Sequence, residues 1–304
     1  MAEDQGVNGD RWNDQATRLF RKLNWESLGD SNIDIPTSTG KNQGVDRLFM
    51  YTESKKFSYD EGVIIEAKNY KTTSFSVGLL DGWIKIIDTK INSVKNSGDF
   101  FAKFPMMDGK PLRTGLIVIW FSDIHAYINF KEKFWQDVSK IQMYRKSATS
   151  NRIYILDNDA IIKLASLCIS VDKINKRDLK RKLQFYYPSS DVSSARRSVV
   201  LNPNYMMSKF ILADYIDKQG IENKVVFFFG RINVDSFSRL KQALSVFGYL
   251  DADKPLIIFT YLRDDSDSRK IMPIIQSLFK ENQLTIEEME NMIDLPTFMR
   301  TDDE

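Results

Sequence analysis

Apolar positions along this chain recur with two different periods, and the elements they predict change in style near residue 157. Residues 10–24 place Trp12, Ala16, Leu19, Phe20 and Leu23 on one stripe, the spacing of an amphipathic helix. Trp25–Pro36 reads as a short irregular strand, and the following TSTGKNQG is turn-rich. Val45–Thr52 and Gly62–Asn69 are strand-like runs joined by the polar connector ESKKFSYDE. Ser76–Asn96 has helical spacing, with Ser74 or Ser76 as its N-cap. Arg113–Phe121 predicts a buried strand, Asp123–Tyr144 an amphipathic helix and Arg152–Leu156 a short strand.

Beyond that point, Asp159–Ile169 is helical in pattern and the basic run VDKINKRDLKRKLQFYY covers residues 171–187. Pro203–Gln219 is expected to be a helix. Strand Lys224–Phe229, helix Val234–Phe247, strand Pro255–Tyr261 and helix Ser268–Lys280 then alternate, with a short helix expected from Thr285 and a frayed tail. Near-continuous apolar strands alternating with helices imply a parallel sheet covered on both faces. The fold class is therefore α/β: a mixed sheet flanked by helices over residues 1–156, then a second α/β domain over 157–304. No internal repeat or low-complexity segment is present.

Composition narrows the chemistry. With 304 residues, 42% of them hydrophobic and 28% charged, the chain is long enough for two globular domains. A net charge of +2 means that a nucleic-acid footprint must come from local clustering. The single cysteine, Cys168, excludes a disulfide framework and multi-cysteine zinc sites, and its apolar helical surroundings mark a structural thiol. The single histidine, His125, excludes sites built on several imidazoles and reads as structural. Carboxylates, lysines and a hard metal ion are left to carry any reaction. The polar N-terminus has no apolar signal region and no apolar run reaches ~18 residues, so a cytoplasmic protein without a membrane partner is expected.

The informative segment is GVIIEAKNYK, residues 62–71. Glu66 and Lys68 are two apart, so on a strand both point to one face. Acidic–x–Lys triplets are common here: Glu53/Lys55, Asp88/Lys90, Asp108/Lys110, Asp178/Lys180 and Glu222/Lys224 also fit. Only the triplet at 66 closes a strand-like apolar run, Val63–Ile65. Asp88 and Lys90 lie in a helical pattern, where two positions are about 200° apart around the axis. If the connector is a hairpin centred near Lys56, Asp46 faces Glu66 directly, and opposed Cβ atoms lie ~4.5–5.5 Å apart. Two carboxylates so close repel unless a cation lies between them or one is protonated. Mg²⁺, commonly held by one or two carboxylates, resolves the conflict, and Lys68 is then placed to position an attacking water. The alternative is an exposed hairpin whose charges are solvated.

Gly44-Val45-Asp46 followed by Val63-Ile64-Ile65-Glu66-Ala67-Lys68 resembles the PD-(D/E)XK nuclease superfamily, in its restriction-endonuclease-like, Mrr-like style. The resemblance spans roughly residues 10–156. It implies a DNA endonuclease with Asp46, Glu66 and Lys68 as catalytic residues, and with Asp46, Glu66 and the Ala67 carbonyl holding Mg²⁺ or Mn²⁺. Family members often add a glutamate on the first helix; this helix offers Asn13, Asp14 and Gln15, so Asp14 is the anionic candidate for a second metal. No proline precedes Asp46.

Asn69, Tyr70 and Lys71 supply donors, an aromatic face and a cation beside that site, and Thr72, Thr73 and Ser74 offer hydroxyls either to phosphates or to cap the next helix. Lys173, Lys176, Arg177, Lys180, Arg181 and Lys182, followed by Tyr186 and Tyr187, form a candidate backbone-binding surface. The second domain has no Walker-type glycine loop, so docking of a partner or target recognition is expected there. The combined expectation is a nuclease of restriction or phage defence, acting on DNA before RNA. It would work as a homo-oligomer or with a second defence subunit. The alternative is an inactive nuclease-fold protein serving nucleic-acid binding or assembly.

Overall fold

A computed structural model of the chain describes residues 7–30, 32–53, 59–95, 97–141, 151–188, 195–261 and 268–300. They divide into two compact units. The first runs to Thr52, resumes from Tyr59 to Ile162 and takes in the chain again from Ile293; the second comprises Glu53 and Lys163–Met292.

Helix α1 (Val7–Lys22) opens the first unit. Short strands β1 (Glu26–Ser27), β2 (Ile33–Pro36) and β3 (Asn42–Val45) follow, then β4 (Arg47–Glu53) and the long β5 (Tyr59–Tyr70). Helices α2 (Val77–Val94) and α3 (Gly98–Lys103) lead to β6 (Leu112–Phe121); α4 (Ile124–Ser139) leads to β7 (Arg152–Leu156). Strands β2 and β3 pair with each other, while the main sheet has the order β1-β4-β5-β6-β7. The β5–β6 and β6–β7 pairs are parallel and are bridged by helices, as parallel neighbours require. Only five residues separate β4 from β5, too few for a crossover, so these neighbours form an antiparallel hairpin. Its turn, with Lys56, lies outside the described residues. The sheet is therefore mixed and flanked by helices, as the pattern predicts.

Alternation along the strands gives this sheet two distinct faces. Leu48, Met50, Ile64, Ile117 and Ile119 pack with Leu80, Trp83, Ile84, Ile87 and Ile91 of α2. On the opposite face α1 packs against Phe49, Val118 and Trp120: Trp12 stacks on Trp120, its Nε1 donates to the Val118 carbonyl at 3.2 Å, and Phe20 meets Phe49. Gly115, in register with Ile64, is the point of closest approach to α2. A Cβ there would lie 3.0 Å from Ile87 and 3.2 Å from Ile91, so the missing side chain lets the helix lie down on the sheet.

Helix α5 (Asn158–Asn175) carries the chain into the second unit. Its sheet comprises β8 (Leu179–Tyr187), β9 (Arg196–Ser198), β10 (Phe210–Asp217), β11 (Glu222–Phe228), β12 (Pro255–Thr260) and β13 (Gln283–Glu288), in the order β13-β12-β11-β10-β8-β9. The short α6 (Pro203–Met206), α7 (Val234–Val246) and α8 (Ser268–Leu278) complete it. The expected parallel arrangement is realised across β11, β12 and β13, while β10, β8 and β9 add antiparallel pairs.

Two expected helices are corrected. Within Pro203–Gln219 only α6 is helical, and Phe210–Asp217 is strand β10, because β8 and β11 take up its backbone hydrogen bonds on both edges, while side chains of both its faces are buried. An apolar run buried on both sides carries no period that separates strand from helix. The segment from Thr285 belongs to β13, whose hydrogen-bonding partner is β12, 28 residues earlier in register. Cys168 is buried, as its surroundings imply.

Candidate active site

Asp46 stands at the entry to β4, where the ladder to β5 begins. Its backbone carbonyl accepts from the Asn32 amide at 3.0 Å, and its Oδ2 accepts from the Ala67 amide at 2.7 Å. The carboxylate thus takes the position of a missing strand neighbour and is fixed beside Glu66–Lys68. Thr52 donates to Asp60 at 3.0 Å across the same hairpin.

Glu66 and Lys68 share the α2 face of β5 and are nearly covered, 5% and 9% exposed. The Lys68 ammonium lies 3.6 Å from Asp46 Oδ2 and 3.5 Å from Glu66 Oε2. One nitrogen therefore sits between both carboxylates, close enough to be a counter-ion to each and too far for a tight hydrogen bond to either. Burial, and after it the Asp46 charge, push the Glu66 carboxyl above the usual carboxylate range, against the pull of Lys90 and Lys68.

Lys90 was not selected by spacing, since its own triplet with Asp88 lies on a helix. From α2 it reaches across and ion-pairs with Glu66 Oε1. The residues around it explain the reach: Ile87 and Ile91 are the side chains that press on Gly115. A lysine between Ile87 and Ile91 of an apolar helical stripe is the only sequence trace of this role. Asn32 was missed as well. It adopts the left-handed conformation (φ 53°), its side chain donates to Asp10 at 2.8 Å and accepts from Asn13 at 3.3 Å, and its amide secures Asp46.

The first-helix carboxylate does not join the cluster. Asp14 has its side chain 54% exposed and is ion-paired with Arg47. Arg47 follows Asp46 and so points to the α1 face, opposite Glu66 and Lys68. Asp14 thus pairs with a residue of the α1 side, and the structure does not bring it together with Asp46 and Glu66. Among the described residues no group of three or more His, Cys, Asp or Glu side chains could hold a metal, which leaves two carboxylates with a backbone carbonyl as the donor set.

Of the neighbouring residues, Tyr70 shares the Glu66 face and meets Trp83 edge-on at 5.0 Å. Asn69 falls on the α1 side by alternation, and Lys71 is exposed just beyond the strand. Thr72 is committed: its amide and hydroxyl both donate to Asp123, at 2.9 and 2.5 Å. Ser76, not Ser74, caps α2. His125 is exposed in the first turn of α4.

The basic candidates lie in the second unit, on α5 and β8. Lys173, Lys176, Lys180 and Lys182 are exposed there. Arg177 pairs with Glu287 at 3.4 Å, and Arg181 pairs at 2.5 Å with Asp214, which is fully buried and also bound by Arg197. Arg181 is thus tied into an internal ion-pair network, and Tyr186 and Tyr187 are buried. The exposed cations are the four lysines and Arg177.

A family model for the PD-(D/E)XK nuclease domain of the GAPS4 protein matches residues 1–160. No curated protein and no solved structure matches the chain.

Proposed function

The chain belongs to the PD-(D/E)XK nuclease domain family of GAPS4 proteins, and from that premise we propose that it hydrolyses phosphodiester bonds of DNA with a divalent metal in antiphage defence. The observation that carries this reading is the placement of Asp46 and Glu66 about the single Lys68 ammonium, with Asp46 fastened to the Ala67 amide. Carboxylate and carbonyl oxygens are the donors hard cations take, so Asp46, Glu66 and the Ala67 carbonyl fit Mg²⁺ or Mn²⁺. When bound, the ion would supply Lewis acidity toward the scissile phosphate and a more acidic water. Lys68 would orient that water and offset charge gathering on the phosphate. Burial of Glu66 and Lys68 excludes bulk solvent and strengthens both effects.

Around that centre, Tyr70 and Lys71 would lie along the nucleic-acid backbone, with Asn69 at the strand end. Lys176, Lys180 and Lys182 would contribute phosphate contacts from the second unit. The second unit, chiefly Lys163–Met292, would serve target recognition or the docking of a second copy or a second defence subunit. No helix of the described residues is long and apolar enough to cross a membrane.

The test is incubation of the purified chain with plasmid and with single-stranded RNA, in Mg²⁺, in Mn²⁺ and in EDTA. Cleavage of the plasmid only with metal is expected. Undiminished cleavage in excess EDTA would refute the mechanism, and cleavage of RNA alone would replace the substrate.

A further inference from the structure

Glu66 is occupied on both oxygens without any metal. Lys90 pairs with Oε1 and Lys68 lies 3.5 Å from Oε2, while Lys68 also serves Asp46. Two carboxylates and two ammonium groups balance, so the buried cluster is formally neutral. A divalent ion added to this set would leave two uncompensated positive charges in a place where only 6% of the Glu66 side chain and 14% of the Lys90 side chain meet solvent. It would also need the carboxylate oxygens that the lysines hold.

The two lysines are not equivalent. Lys68 stands on β5 two residues from Glu66, and its ammonium lies 3.5 Å from Glu66 Oε2 and 3.6 Å from Asp46 Oδ2. Lys90 comes from α2 on a flexible four-carbon stem and makes the closer contact. Lys90 can withdraw without disturbing the strand that carries the site; Lys68 cannot move far from it.

We propose that Lys90 is the resident counter-ion of Glu66 in the metal-free protein, and that a nucleic-acid phosphate draws it away, so that metal and substrate bind cooperatively. This rests on the nuclease reading of the same site. A phosphodiester is the anion that such a site brings beside Lys90, and it can take over the ammonium as Glu66 turns to the metal. Linkage makes the effect reciprocal: DNA tightens metal binding and metal tightens DNA binding by the same factor. Without substrate the site would hold metal weakly, so hydrolysis would wait on a bound target. Lys90 is thus a positioning residue, acting through Glu66.

The experiment is titration of the full chain with Mn²⁺, followed by the electron paramagnetic resonance of the free ion. It compares wild type, Lys90→Met and Glu66→Gln, each with and without a phosphorothioate DNA duplex. Lys90→Met keeps the length of the side chain and removes its charge. Lys90→Met alone should bind Mn²⁺ tighter than wild type by roughly 5–150-fold, the common range for coupled sites. The duplex should tighten Mn²⁺ binding to wild type by a similar factor and to Lys90→Met far less. The duplex comparison on wild type needs no variant, so it decides even if Lys90→Met fails to fold. Mn²⁺ binding that depends on Glu66 but is indifferent to the duplex and to Lys90 would overturn the gating while leaving the nuclease site standing. Mn²⁺ binding unchanged in Glu66→Gln would overturn both.

Discussion

Removing Lys68 separates its chemical role from its structural one, because the structure gives it both. In Lys68→Ala the ammonium between Asp46 and Glu66 disappears from a site where Lys68 is 9% exposed. A unit charge pair near 4 Å is worth roughly 4 kcal/mol at an effective dielectric near 20, and stripping one partner from a buried pair costs about 3–5 kcal/mol. Two features soften that loss. Lys90 still engages Glu66, and the Glu66 carboxyl, already raised by burial, can take a proton instead of remaining charged. The expected cost in EDTA is therefore about 1–3 kcal/mol. Mn²⁺ should recover most of it, since a divalent ion replaces the missing charge. The single-turnover cleavage rate in Mn²⁺ should nevertheless fall by ~10²–10⁴, the worth of a placed acid–base group. Lys68→Arg should not restore it, because a guanidinium stays protonated and fills the site differently. Melting curves in EDTA and in Mn²⁺, with rates on the same preparations, measure both effects. A Lys68→Ala protein that cuts at the wild-type rate would remove the nuclease mechanism at its centre, and the scaffold alternative would take its place.

Three further outcomes concern the second unit. Lys163 lies over the Phe229 ring and donates to the carbonyl of Ser208 at 2.9 Å; burial pulls its pKa down from 10.5 to about 8. The folded form thus sheds its proton before the unfolded one, so stability rises with pH between those values. Wild type should gain about 2 kcal/mol over Lys163→Met from about pH 7.5 to about pH 9.5 in denaturant titrations, and a constant difference would show that the amine pays no burial penalty. Lys180→Ala with Lys182→Ala should lower the slope of log affinity against log salt by ~0.9 per lost duplex contact, at unchanged melting temperature. Arg181→Ala should instead lower the melting temperature, because it exposes the buried Asp214 charge. An unchanged salt slope in the lysine variant returns those residues to ordinary solvated surface.

Short-range information was enough for a good part of this protein. Strand β5 and its acidic–x–Lys triplet are legible because an apolar run ending in charges has few other ways to be buried, and alternation alone puts Glu66 and Lys68 on one face. A short connector makes the β4–β5 hairpin readable, and with it the nearness of Asp46. What the chain order cannot express is which face a helix covers. Asp14 sits in a helix that looks suited to the site, yet α1 packs under Val118 and Trp120, and the carboxylate turns to Arg47. Lys90 belongs to a helix packed over the site, brought within reach by the bare Gly115 25 residues further along and by nothing local. The same limit governs the second unit. Phe210–Asp217 and Gln283–Glu288 are strands because of the neighbours they meet in the sheet, and a residue's own neighbours in sequence do not say what will lie beside it. Periodicity records one surface at a time; pairing, facing and charge compensation depend on two, and those only the folded chain decides.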